Sequence, residues 1–331
     1  MIEPALPPSA GSERSETPVI SVIMPNFNDA WLISRSIDSV LLQTFRDLEL
    51  IVVDDGSSDD SLAVVRKFED KRIRLLQQDH GGVCAARNRG IKLSRGSYIA
   101  FLDSDDTWEC ECLERLHEAL SNAPDAALAY CGWRHTGLGA EGETGFIPPN
   151  YETPEKLELL LRDSRWPIHA ALTKRSAILS AGGFNPRYQT SEDFLLWLKI
   201  AGDHRIVRVP EVLAIYHHHH GSRATSNRLR MAVNHLEAQQ EYLQHRPDAQ
   251  RKLGPAKIRA LTLGELLRRG NACYWRGDLE DARAIFRRVM KSGYGDASDW
   301  KRMLPALLPA GLHKRVLRRR QAPSSAGGDP A

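Results

Sequence analysis

Cysteine is scarce in this chain and falls into no pairing pattern. The five residues are Cys84, Cys110, Cys112, Cys131 and Cys273; the middle pair is too close together, and lacks partners, for a zinc site. A disulfide scaffold is therefore excluded, and a reducing cytoplasm is the expected compartment. No apolar run approaches the roughly 20 residues that cross a bilayer, so no transmembrane helix is expected. Charge of one sign is also lacking. The formal net charge is +3, with the excess toward the C-terminus, and gives no nucleic-acid signature. The N-terminal stretch carries Glu3, Glu13 and Glu16 among Pro and Ser, without the basic start and apolar core of a signal peptide.

What is present is an ordinary globular composition, 42% hydrophobic and 26% charged over 331 residues, enough for one large domain and an appendage. From Val19 onward, apolar strands alternate with amphipathic helices. VISVIM, LELIVV, IRLLQ and YIAF read as strands, with helices over Ala30–Leu42, Asp59–Phe68 and Gly82–Leu93 between them. Continuous apolar strands separated by helices predict an α/β fold with a mainly parallel sheet covered on both faces. Further on, Glu192–Ala201 is a helix, RIVRVP and VLAIYH are two short strands, and the chain is helical and basic from Asn227 to Leu317. The expected divisions are a disordered lead-in at 1–17, a catalytic domain at 18–226, a helical region at 227–317 and a disordered tail at 318–331.

Polar clusters stand at three strand ends: Pro25–Asn28, Asp54–Ser58 and Asp103–Asp106. Ligands of such sheets collect at the carboxyl ends of the strands, and neighbouring strands would bring these clusters together. The acidic run is the most informative. Asp103, Asp105 and Asp106 repel one another, and a divalent cation bound to phosphate oxygens offsets that repulsion. The alternative reading is a solvated Asp-rich turn, which does not explain why the other clusters converge on the same edge.

The order PNFN, VVDDGSSD, GGVCAARNRG, YIAFLDSDD, GGFNP and SEDFLLWL resembles glycosyltransferase family 2 over about residues 18–226. The resemblance implies the GT-A nucleotide-sugar-binding fold and inverting transfer of a sugar from a nucleotide diphosphate to a hydroxyl, with Mn2+ or Mg2+ as cofactor. It places Pro25, Phe27 and Asn28 around the base and ribose, with Phe27 where many relatives carry Tyr. Asp55 falls where a carboxylate accepts from a uracil-type N–H, and Gly82 where the backbone approaches the nucleotide closely. Arg87 falls where a guanidinium pairs with the diphosphate; its other reading is a solvated charge on a helix face. Asp103 is placed near the ribose and Asp105 on the metal. Asp193 takes the place of the catalytic base that accepts the acceptor's proton, against the alternative of helix capping. His219 is a candidate metal ligand, since Tyr216 and His219 match a Tyr-Arg-x-His pattern in which His217 replaces the Arg.

The absence of membrane spans, and of a Gln-x-x-Arg-Trp motif after Glu192–Asp193, points to a non-processive enzyme adding one sugar, with Trp166 as an acceptor-lining residue. A UDP-sugar donor and a glycan or lipid-linked acceptor of cell-envelope polysaccharide synthesis are expected. Two other classes compete. A sugar-nucleotidylyltransferase shares the sheet but opens with an Arg- and Lys-bearing glycine loop that PNFNDA lacks. A non-catalytic nucleotide-sugar-binding protein would not need Asp55, Asp103, Asp105 and Asp193 intact. Within 227–317, Ala272, Tyr274, Gly277–Asp278, Ala282 and Phe286 resemble one tetratricopeptide-type hairpin, which cannot bury its apolar face alone. The segment WKRMLPALLPAGLHKRVLRRRQ mixes apolar and basic residues and suits peripheral contact with an anionic membrane; its other reading is a solvated tail.

Overall fold

The computed structural model describes residues 17–137, 145–163, 166–188, 190–218 and 227–308. His219, the lead-in at 1–16, residues 138–144 and the basic segment beyond 308 lie outside the described residues.

The strands are β1 (Ile20–Asn26), β2 (Leu48–Asp54), β3 (Ile73–Gln77), β4 (Tyr98–Phe101), β5 (Thr107–Trp108), β6 (Ala126–Gly137), β7 (Ala171–Lys174) and β8 (Arg205–His218). Among the described residues they form one sheet in the order β3-β2-β1-β4-β7-β6-β8-β5. The β3-β2-β1-β4 half is parallel; β7 then runs antiparallel to both β4 and β6, while β6 and β8 are parallel. Every residue of β1 and β2 is buried, because helices cover both faces and no side of these strands meets water. The expectation of two strands over RIVRVP and VLAIYH is corrected to one. β8 is continuous, and its register against β6 slips from Cys131↔Val209 to Gly132↔Val212. Pro210 has no N–H for the ladder, so the strand bulges there instead of ending.

Helices in the first half are α1 (Ile33–Leu41), α2 (Ser61–Val65), α3 (Val83–Leu93), α4 (Cys112–Ser121), α5 (Lys156–Arg162), α6 (Arg175–Ser180) and α7 (Glu192–Asp203). Expected through Phe68, α2 keeps only its first turns. The approach of α3 to the sheet depends on Gly90, where a Cβ would lie 2.4 Å from Ile23 Cγ2 of β1. Ile23 is wholly buried and cannot withdraw. Gly90→Ala is therefore expected to lower stability by about 1–3 kcal/mol, the usual cost of overpacking, measured by denaturant titration.

The C-terminal helices are α8 (Arg228–Gln244), α9 (Pro247–Leu253), α10 (Pro255–Arg259), α11 (Glu265–Arg276), α12 (Leu279–Lys291) and α13 (Ala297–Met303), with a π-helical turn at Ala260–Gly264 joining α10 to α11. The hairpin read from the sequence is α11–α12, turning at Gly277 with φ +86°. Its apolar side, with Leu266, Tyr274, Ile285, Phe286 and Val289, closes on Ala232 and Leu236 of α8. Ala238, Tyr242 and Leu243 of that same helix belong to the main core around the sheet. The hairpin thus has its partner within the chain. Buried Gln239 fixes the junction, its Nε2 donating to the carbonyls of Leu161 (2.6 Å) and Leu261 (3.0 Å).

Candidate functional site

Parallel register decides where the polar clusters meet. Asn26 of β1 is level with Asp54 of β2, which is level with Gln77 of β3. Ile23 is level with Phe101, so the Asp103 run leaves the sheet beside Pro25 and Asn26. A cleft of about 1100 Å³ opens there. Its walls include Pro25, Phe27, Asp55, Arg87, Asp103, Asp105 and Asp193.

On the β1–β2 side much of the polar chemistry is already engaged. Asp55 Oδ1 accepts from Gln78 Nε2 (2.6 Å) and Gly81 N (2.9 Å), while Oδ2 accepts from Gly82 N (2.7 Å) and lies 2.9 Å from His80 Nδ1. Two carboxylate oxygens offer about four lone-pair sites, so a base N–H would have to displace one of these partners. Asn28, with φ +58°, spends its Oδ1 on Ser58 N (2.7 Å) and Asp59 N (3.3 Å), clamping the β2 turn to the β1 turn. Gly82 caps α3 with φ +85°, and a Cβ there would meet nothing within 4 Å. Backbone conformation, not crowding, is what this position requires in the structure. Phe27, 43% exposed, stacks on His80 at 4.2 Å between centroids. Asn26 is a residue that sequence reasoning passed over. Its Nδ2 donates to Asp54 Oδ1 (2.8 Å), and its buried Oδ1 has no hydrogen-bond partner among the described residues, in a residue that lines the cleft.

Arg87 is the centre of the acidic side. The solvated charge that is one sequence reading of Arg87 is corrected: the residue is 2% exposed, with Nη2 donating to Asp103 Oδ1 (2.7 Å) and Nη1 to Glu192 Oε1 (2.8 Å). Burial alone would lower its pKa, but Asp103 and Glu192 together drive it upward, so the cation is fixed. The same guanidinium stands over Phe184, 5.2 Å from the ring centroid. Asn88, one residue on, receives Phe184 N and donates to Phe184 O, which seats the GGFNP loop.

Asp193 opens α7 after Ser191, whose φ of +62° is rare for a residue other than Gly. The segment is held from α8. Asn234 Nδ2 donates to Thr190 Oγ1 (2.9 Å), and the His235 ring stacks on Phe194 at 4.0 Å. Burial first, then the charge of Glu192, push the Asp193 carboxyl up to about 7. One Asp193 oxygen accepts from Phe194 N at 2.7 Å. A carboxylate so tuned can accept a proton near neutral pH.

Asp105 stands half-buried in the cleft, its carbonyl held by Arg35 Nη2 at 3.0 Å. Behind it, burial and the charges of Asp105 and Asp103 drive the Asp106 carboxyl well up. Asp106 Oδ1 accepts from His217 N (3.1 Å), and Oδ2 lies 3.1 Å from Nδ1 of His169, whose pKa burial pushes down to about 4. An acidic group that crowds its own charge this strongly, with hard oxygen donors, fits Mg2+ or Mn2+. Among the described residues no three acidic, histidine or cysteine side chains form a complete metal cage, so a cation here would need oxygen ligands from elsewhere.

Beyond the acid wall the cleft is aromatic. Trp133 and His135 lie 4.7 Å apart, with Phe146 and Tyr216 near them. Trp166, expected on the acceptor side, is 2% exposed; one face is spent on Tyr130 at 4.6 Å. It contributes a wall and has no open stacking face. The last wall comes from the C-terminal helices: Met231 and His235 of α8, Arg268 and Arg269 of α11. Nothing in a basic helical stretch distinguished these arginines as site residues.

A sequence profile described as Glycosyl transferase family 2 matches residues 21–178. The Escherichia coli protein UDP-Glc:alpha-D-GlcNAc-diphosphoundecaprenol beta-1,3-glucosyltransferase WfgD is 34% identical over 191 residues, 57% of this chain and 72% of that protein. Hyaluronan synthase of Pasteurella multocida is 29% identical over 59% of this chain, which spans only 20% of the synthase. Among solved structures, S. aureus TarS 1–349 in complex with UDP-GlcNAc aligns with a TM-score of 0.63 at 18% identity, covering 91% of this chain and 87% of that one. Mannosyltransferase PcManGT of Pyrobaculum calidifontis, in complex with GDP-Man and Mn2+, aligns at 0.58 and 19% identity, covering 93% and 89%. At such identities the likeness is one of fold.

Proposed function

Because the chain belongs to glycosyltransferase family 2, we propose that it is a non-processive, inverting enzyme. It moves one sugar from a nucleotide diphosphate, a UDP-sugar, to a hydroxyl of a glycan or lipid-linked acceptor in cell-envelope polysaccharide synthesis. The observation that carries this reading is a carboxyl tuned to about 7, Asp193, facing the same cleft as the Asp103–Asp106 acidic run. The relatives support the donor and acceptor classes, since WfgD is named for a UDP-sugar donor and a diphospholipid-linked acceptor.

In this reading Asp193 takes the proton of the attacking hydroxyl. Glu192, bonded to Arg87, keeps a negative charge beside it and so sustains its basicity. Arg87 holds Asp103 and Glu192 in fixed relation, so the donor side and the acceptor side are set by one guanidinium. Asp105 would hold the divalent cation, with His219 a further candidate ligand; when bound, that ion offsets charge on the leaving diphosphate. Phe27, Pro25 and Asn26 border the nucleoside end, and Asn28, Gly82 and Asp55 hold the turns that shape it. Among the described residues no helix is long and apolar enough to cross a membrane; peripheral contact with an anionic surface through the basic C-terminal segment belongs to the same proposal.

Asp105→Ala is expected to abolish Mn2+-dependent binding of the donor nucleotide while the melting transition survives. Calorimetric titration of UDP with and without Mn2+ reads this directly. Unchanged affinity in the variant would remove Asp105 from the metal site, and a wild type indifferent to every nucleotide sugar in a panel would overturn the reading as a whole.

A further inference from the structure

The wall built by α11 has no role in the chemistry described so far. Arg268 and Arg269 share one carboxylate, Glu265, which is itself 5% exposed. Arg268 binds it bidentately, Nε to Oε2 at 2.7 Å and Nη2 to Oε1 at 2.6 Å, and Arg269 Nε reaches Oε1 at 2.9 Å. A guanidinium has five N–H donors. Arg268 therefore uses two here and Arg269 one, and among the described residues they make no further hydrogen bond. Both residues line the cleft, Arg268 with its side chain 65% exposed and Arg269 with 21%.

Position identifies the half of the cleft concerned. His235, on which Arg269 and Arg268 act electrostatically, stacks on Phe194, the residue after Asp193. The arginine pair is thus on the side of the candidate base, where an acceptor hydroxyl is delivered, while Pro25, Phe27 and Asp55 border the other end. Asp163, also in the cleft wall, lies within electrostatic reach of Arg268. The chemistry of the ligand follows from the geometry. One guanidinium fork already matches one planar carboxylate, as Arg268 does with Glu265. Two adjacent forks with spare donors suit a tetrahedral oxyanion with several peripheral oxygens and more than one charge.

We propose that Arg268 and Arg269 form a subsite for a phosphate or diphosphate ester carried by the acceptor. The helical region then supplies acceptor recognition to a cleft whose donor chemistry lies on the sheet. Glu265 pre-orders the pair, so little side-chain freedom is lost on binding. The proposal rests on the glycosyltransferase reading for the identity of the donor half, and its test separates the two.

The test uses the full chain with its donor half filled by UDP and Mn2+, and titrates decyl diphosphate calorimetrically, with decyl glucoside as the uncharged control. Wild type is expected to bind decyl diphosphate and to ignore decyl glucoside. R268Q/R269Q should weaken decyl diphosphate at least tenfold with UDP affinity unchanged, which also shows that the variant is folded. R268K/R269K, which keeps charge but loses the forks, should fall between them. Failure of wild type to bind decyl diphosphate, equal binding by the glutamine variant, or equal binding of the glucoside each overturns the subsite. Loss of UDP affinity in a variant that still melts cooperatively assigns the arginines to the donor's phosphates and overturns it as well. A wild type that binds no UDP with Mn2+ sinks the UDP-sugar part of the proposed function instead.

Discussion

Asp193→Asn is expected to lower sugar transfer by a factor of roughly 10² or more, the scale of losing a general base, while UDP binding with Mn2+ is kept. Asn has almost the volume of Asp and can still accept from Phe194 N, so the loss would lie in proton acceptance alone. The wild-type pH profile should show the same group. With its carboxyl pushed up to about 7, Asp193 is protonated below that pH. kcat/KM should therefore rise about tenfold per pH unit toward 7 and level off above it. Stability has the opposite sign. The folded state holds a proton on Asp193 that the unfolded chain has released, so this stabilisation is present at low pH and lost as pH rises through 7. Asp193→Asn should accordingly melt higher than wild type near pH 8, by less near pH 5, and converge with it only below about pH 4, the range of an unfolded Asp. Wild-type turnover in the variant would reduce Asp193 to a helix-opening residue.

Arg87→Met is expected to cost about 3–5 kcal/mol, the scale of breaking a buried ion pair from one side. The variant strands Asp103 and Glu192 without their cation and adds their repulsion to Asp193, whose pKa Arg87 holds down. The remaining activity should have its pH midpoint moved upward. Denaturant titration reads the first effect and a pH–rate profile the second; a stable variant with an unmoved midpoint would show that Arg87 does not organise the acidic side.

Much of this was legible in the chain. The buried parallel strands announce themselves as unbroken apolar runs, and their level ends explain why PNFN, VVDDGSSD and YIAFLDSDD meet. The environment of each site residue was not legible. Arg87 lies on a helix where periodicity shows only a charge, and its burial depends on Asp103 and Glu192 arriving from 16 and 105 residues away. The saturation of Asp55 depends on the fold of the 78–82 loop, and Asn28 reads the same whether it binds a ligand or a turn. One strand reads as two in the sequence because Pro210 looks like a terminator where it makes a bulge. Arg268 and Arg269 carry no motif, and they reach the cleft only because α11 packs on α8.

That packing bears on how the molecule comes apart. α8 lends Ala232 and Leu236 to one core and Ala238, Tyr242 and Leu243 to the other, with Gln239 between them bonded to the carbonyls of Leu161 and Leu261, both of the second of these cores. Opening either core uncovers a flank of the same helix, so neither can unravel in isolation. In native-state hydrogen exchange the central amides of α8 would exchange only through global opening, alongside those of β1 and β2.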